Sequence, residues 1–191
     1  SKERVGFMQE LSLNVLDIAQ NSVRAKASLI TITLTERTAE HFLEISVADN
    51  GCGMTEEQVS HVMDPFFTTR TTRKVGLGVP FFKMSAEATG GSFSIVSQVG
   101  EGTTATARYC TDHIDMLPVG DMNATILSLI TMNPDLDFVY CRTRDEKTYT
   151  LDTRELKEVL EDVPLNTPQV VSFIKESLEE GEAGLCGPSR L

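Results

Sequence analysis

Nowhere in this sequence do two cysteines form a C-x-x-C pair, and Cys52, Cys110, Cys141 and Cys186 share no zinc-like spacing with the three histidines. A clustered zinc site is thereby excluded, and the cysteines read as reduced structural thiols of a cytoplasmic protein. No apolar run approaches the ~18 residues that a membrane span needs, and nothing near the start resembles a signal peptide. The pattern G-x-x-x-x-G-K-[ST] is missing, which excludes the phosphate-cradling loop built on it. Basic residues are scarce as well: 17 Lys and Arg stand against 28 Asp and Glu, a formal net charge of −11. So acidic a surface repels phosphate backbones and makes nucleic acid a poor partner. What is plentiful is apolar material, 40% of 191 residues, enough for one large domain or a medium one with an appendage.

Periodicity places the elements. Leu11, Val15 and Ile18 recur at helical spacing within a helix expected from about Phe7 to Ala25. Alternation predicts strands over 28–35 and 42–47, joined by a hairpin turn. Thr55 caps a short helix to Met63, and 64–74 has no period and reads as loop. A second core helix runs from Val79 to Thr89, with Pro80 in its first turn and Gly90-Gly91 closing it. Strands over 92–98 and 103–109 follow, around the turn VGEG. Beyond Asp112 the character changes to a helix (120–132), a hairpin (137–144 and 147–151) and two capped helices. The expected organisation is thus a domain over 1–111, an extension over 112–180 and a flexible tail over 181–191.

Chemistry concentrates at a few places. Asp49-Asn50-Gly51-Cys52-Gly53-Met54 follows an apolar strand directly. A carboxylate there can accept from an adenine amino group, and the two glycines let backbone pass close to a flat ring. Taken alone, the segment fits an ordinary tight turn equally well. Asn14, Asp17 and Asn21 form one polar stripe on the first helix, so Asp17 and Asn21 could address an ion and an attacking group; a solvated face is the plain alternative. Gly76-Leu77-Gly78 opens a helix, where backbone amides bind phosphate well. Between positions 64 and 83, Arg70, Arg73, Lys74 and Lys83 oppose only Asp64, a local net charge of +3 suited to an anion such as a triphosphate.

Five segments together resemble the N, G1, F, G2 and G3 boxes of the GHKL ATPases: DIAQNS from Asp17, DNGCGM from Asp49, DPFFTTR from Asp64, GLG from Gly76 and GEGTT from Gly100. They stand in the family's order over roughly residues 7–110, and the stretch from Gly76 to Ala107 is most similar to the catalytic domains of sensor histidine kinases. The resemblance implies an α+β two-layer sandwich, the Bergerat fold, with a mixed sheet covered by helices on one face and a small C-terminal α/β extension. It implies ATP and Mg2+ as cofactors, with Asn21 holding the metal and Asp49 accepting from the adenine amino group beside Thr103. Gly51, Gly53, Met54, Gly76, Leu77 and Gly78 would lie close to nucleotide. Phe67, Arg70, Arg73 and Lys74 would belong to a lid over the phosphates that orders when nucleotide binds. Asp17 stands where hydrolysing members carry a glutamate base and many kinases an asparagine, so the aspartate is a departure with a shorter reach. His41, His61 and His113 lie outside any phosphoacceptor context, so phosphotransfer would need a protein partner; an ATP-gated switch or an anti-sigma-type serine kinase is the alternative function.

Overall fold

The computed structural model describes residues 10–66 and 77–186. Phe67, Arg70, Arg73, Lys74 and Gly76 lie outside them, as does all but Phe66 of the segment 66–75 expected to order with nucleotide. Helix α1 (Leu11–Arg24) buries Leu11, Val15, Ile18 and Ala19 along one side. Its start lacks a side-chain cap. Instead the first amides donate to a segment distant in sequence, Leu11 N to Pro118 O at 3.0 Å and Ser12 N to Val119 O at 2.8 Å, which satisfies two otherwise orphaned donors.

Strands β1 (Leu29–Arg37) and β2 (Phe42–Asp49) form the expected hairpin. Helix α2 (Glu56–Met63) carries a complete capping box between Thr55 and Gln58, and α3 spans Gly78–Ala88. Then come β3 (Ser92–Gln98), β4 (Gly102–Cys110), α4 (Met122–Met132), β5 (Asp137–Arg144), β6 (Lys147–Asp152), α5 (Thr153–Leu160) and α6 (Pro168–Cys186).

The strands make one six-stranded sheet in the order β3-β4-β2-β1-β5-β6, antiparallel throughout except where β5 lies parallel to β1. Register aligns Ile95, Ala105, Val47, Ile32, Tyr140 and Leu151 in a single row across all six strands. From Ala105 to Leu151 every member of that row is buried, and Ile95 packs against the same core. The alternate residues, among them Thr31, Thr33, Ser46, Thr104 and Thr106, are left only partly covered. Period-two alternation thus gives the sheet a helix-covered face and a hydroxyl-rich open one. Phe82 anchors α3 to the covered face edge-to-face, with ring centroids 6.0 Å from Phe93 and 6.3 Å from Tyr109.

Residues after 112 continue this sheet and core. β5 pairs along the length of β1, and α4 packs on α1. The tail expected over 181–191 is corrected in part: α6 runs through Cys186. Val170, Ile174, Leu178 and Leu185 give that helix a buried stripe, Gly181 lies against the Tyr149 ring, and Glu182 pairs with Arg142 at 3.5 Å. Gly181 is thus a place of close packing, where a larger side chain would meet the Tyr149 ring. Residues 187–191 lie outside the described set.

Candidate functional site

The end of β2 carries Asp49 to the rim of the covered face. Its Oδ2 accepts from Ser22 Oγ at 2.5 Å and its Oδ1 from Gly51 N at 2.9 Å. Both oxygens are therefore oriented by donors on two different elements. Gly51 is required by close approach: a Cβ there would sit 2.7 Å from Ala25 O, and the next amide, Cys52 N, donates to that same carbonyl at 2.9 Å. The loop after β2 is thus docked on the end of α1.

Its far side is docked on the β3–β4 turn. Gly53 has φ +70°, and a Cβ there would collide with the Gln98 carbonyl. Gly100 N donates to Cys52 O at 2.8 Å, and Met54 N donates to Ser97 Oγ at 2.8 Å. The second and fifth sequence boxes, some fifty residues apart, are one knit structure.

Between this loop, α1, α2, α3 and the sheet lies a cavity of about 290 Å3. Ile18, Val47, Val62, Val79, Ile95 and Ala105 give it apolar walls, and Asn21, Asp49 and Thr103 supply polar groups. Its volume is at the lower end of small-molecule sites, with the few convergent polar atoms such sites use. Gly53 and Met54 also line it. Asp17, Gly51, Leu77 and Gly78 are not among its lining residues. Gly78 lets α3 approach α1, since a Cβ there would lie 2.8 Å from the Asp17 Cβ. Burial raises the Asp17 pKa above its ordinary value, and the Arg24 guanidinium partly offsets this. Asn14 is buried and its Oδ1 has no hydrogen-bond partner among the described residues, whereas Asp17 and Asn21 are partly exposed, so the polar stripe is solvated only in part.

Three residues escaped the sequence reading. Ser22 orients Asp49; Arg24 lines the cavity and donates from Nη1 to Asn21 Oδ1 at 2.9 Å; Ser97 ties Met54 to Thr103. Arg24 had a signal, being a basic residue one turn beyond Asn21. The apolar walls had none, because a pocket-lining valine and a core valine have the same periodicity.

An α+β sheet with this cavity at one end of its covered face is the architecture of a GHKL-type domain. The family described as histidine kinase-, DNA gyrase B-, and HSP90-like ATPase matches residues 7–112, and the chain belongs to it. Among curated relatives, the sensor histidine kinase ZraS of Escherichia coli (strain K12) is 30% identical over 92 residues, 48% of this chain and 20% of its own length. Sporulation kinase C of Bacillus subtilis (strain 168) is 32% identical over 100 residues, covering 51% of this chain and 23% of the kinase. The chain thus spans about a fifth of the length of these relatives. The Aquifex aeolicus MutL ATPase domain complexed with ADP aligns with TM-score 0.44 at 12% identity, over 89% of this chain and 88% of that one.

Proposed function

We propose that this chain binds ATP with magnesium and transfers the γ-phosphoryl group to a protein acceptor in trans, in the cytoplasm. The observation that supports the reading is convergence: Asn21, Asp49 and Thr103, from three elements, meet around one largely apolar cavity. Apolar walls suit an adenine ring. The Asp49 carboxylate, already turned by Ser22 and Gly51, offers acceptor capacity to the amino group.

The donor set fits a magnesium ion. This cation takes hard oxygen donors, usually one or two carboxylates from the protein while the nucleotide's phosphates supply the rest. Asn21 Oδ1, an amide oxygen that now accepts from Arg24, would be the side-chain oxygen that holds it here. Among the described residues no cluster of three or more His, Cys, Asp or Glu could hold a metal without nucleotide. Magnesium, when bound, neutralises phosphate charge. Arg24, which caps the Asn21 oxygen, has further donors free to meet a phosphate. In this reading Gly76, Leu77 and Gly78 would lie close to nucleotide, and Arg70, Arg73 and Lys74 would supply further cationic groups. Phe67 belongs to the same lid. Asp17 is the proposed proton acceptor for the attacking group: burial brings its pKa closer to the working range of a base.

The test is incubation with γ-labelled ATP, alone and with candidate acceptor proteins. Label on an added protein, dependent on Asn21, supports transfer in trans. Acid-labile label on this chain alone that vanishes in His61→Gln contradicts it, and phosphate release with no transfer points to an ATP-gated switch.

A further inference from the structure

The two edges of the sheet differ. On one side β6 begins with Lys147 and ends with Asp152; on the other β3 carries no charge at all. No charged residue stands anywhere between Glu87 and Glu101, in a chain of which 24% is charged. β3 also lacks proline, and its register with β4 runs unbroken from Ser92 to Gln98, so no bulge turns it away. Among the described residues no strand pairs with its outer side. Ser92, Ser94, Val96 and Gln98 are exposed, Val96 by 72%, and Phe93 is only half-buried.

An edge strand presents a row of backbone donors and acceptors, and charges, prolines, bulges or very short strands are the usual means of keeping other strands off it. β3 uses none of them. A net charge of −11 makes most of the surface repel a second copy of the chain. At β3 two copies can meet with no charge on either strand. Antiparallel pairing of β3 with its counterpart, centred on Ile95, is in register over all seven residues. It sets Ile95 against the partner's Ile95 and Val96 against the partner's Ser94, with no like charges opposed. Such a contact is self-complementary and consumes both β3 edges, so assembly closes at two.

We propose that β3 is an interaction edge through which two copies of this chain join their six-stranded sheets, antiparallel about a two-fold axis, into one continuous sheet. Backbone hydrogen bonds along β3 hold the joint, and the exposed methyl groups of Val96 are covered by it. Alternation puts Ser94 and Val96 on the open face, and neither lines the cavity, so the joint forms with or without nucleotide. One strand pair buries less than the ~800 Å2 per partner of a standard interface, which places the association at a Kd of about 10–100 μM.

The experiment is sedimentation velocity of the full chain and of Ser94→Lys/Val96→Lys, at concentrations from about 1 μM to 1 mM. Wild type should pass from monomer to dimer across that range. The double variant puts two lysines on each exposed edge, and its dimer should be at least about tenfold weaker while it melts as wild type does. Should the variant fail to fold, hydrogen exchange of wild type reads the same edge: amides of 92–98 should gain protection at high concentration, and unchanged protection would overturn the proposal. A wild-type chain that stays monomeric up to 1 mM overturns it as well, and leaves the edge to a strand of a different protein. A dimer of equal affinity in the variant places the contact elsewhere, and growth beyond two copies contradicts closure about β3; either result overturns the proposal.

Discussion

Asp49→Asn changes one oxygen into an amino group at a carboxylate held by two donors, Ser22 Oγ and Gly51 N. Gly51 N can only donate, so the remaining oxygen must face it, and the new amino group then faces Ser22 Oγ. Ser22 can reverse and accept, so the empty fold should lose little: about 1 kcal/mol, or some 2–4 °C in Tm for a chain of this length. Nucleotide binding should lose far more. A bond from an amine to an ionised acceptor contributes about 1.5–3 kcal/mol, and the variant sets a donor against a donor. Kd for Mg·ADP should therefore rise about ten- to 150-fold. Calorimetric titration gives Kd, and thermal melting of the nucleotide-free proteins gives the structural cost. ADP binding within twofold of wild type, with the nucleotide-free Tm nearly unchanged, would refute the placement of adenine at Asp49.

Gly53→Ala places a methyl group on the Gln98 carbonyl at φ +70° and should cost about 2–4 kcal/mol in a denaturant melt; Gly90→Ala, at φ +79° with open space around it, should cost only about 1–2. Equal losses would show that the loop is not pinned to the turn. Asp17→Asn should raise Tm at pH 7, because burial disfavours the charged carboxylate. The sign follows from linkage: a raised folded pKa means that the unfolded chain loses its proton first, so stability falls as pH rises from about the ordinary 3.8 through the folded value. The advantage of the variant should open across that window and close below it; an advantage that grows on acidification would contradict the assignment.

Much of the fold could be read locally. Thr55, Gly90-Gly91, and the alternation in β1 and β2 each mark an element through forces acting within a few residues. The site was legible for a different reason. Asp49, Asn21 and Thr103 stand in segments whose residue types suit nucleotide, and the order of those segments matched a family. Partner choice between distant segments was not legible. Nothing in Asp137–Arg144 says that it lies parallel to β1, because parallel pairing needs a long crossover and leaves no turn signature. Ser97 likewise looks like any strand serine until Met54 and Thr103 are seen on either side of it. The helical continuation past 180 was not legible either, because what holds it there is tertiary: the Tyr149 ring lies against Gly181 and Leu185 is buried.

The most direct test of the central claim is the melting temperature of the chain with millimolar ADP, with and without magnesium. A ligand that binds only the folded state at 100 times its Kd stabilises by about 2.7 kcal/mol, roughly 5–10 °C here. Mg·ADP should raise Tm by that order, and by less in Asn21→Ala, whose nucleotide-free Tm should match wild type. No shift in the wild-type chain at millimolar Mg·ADP would contradict the account.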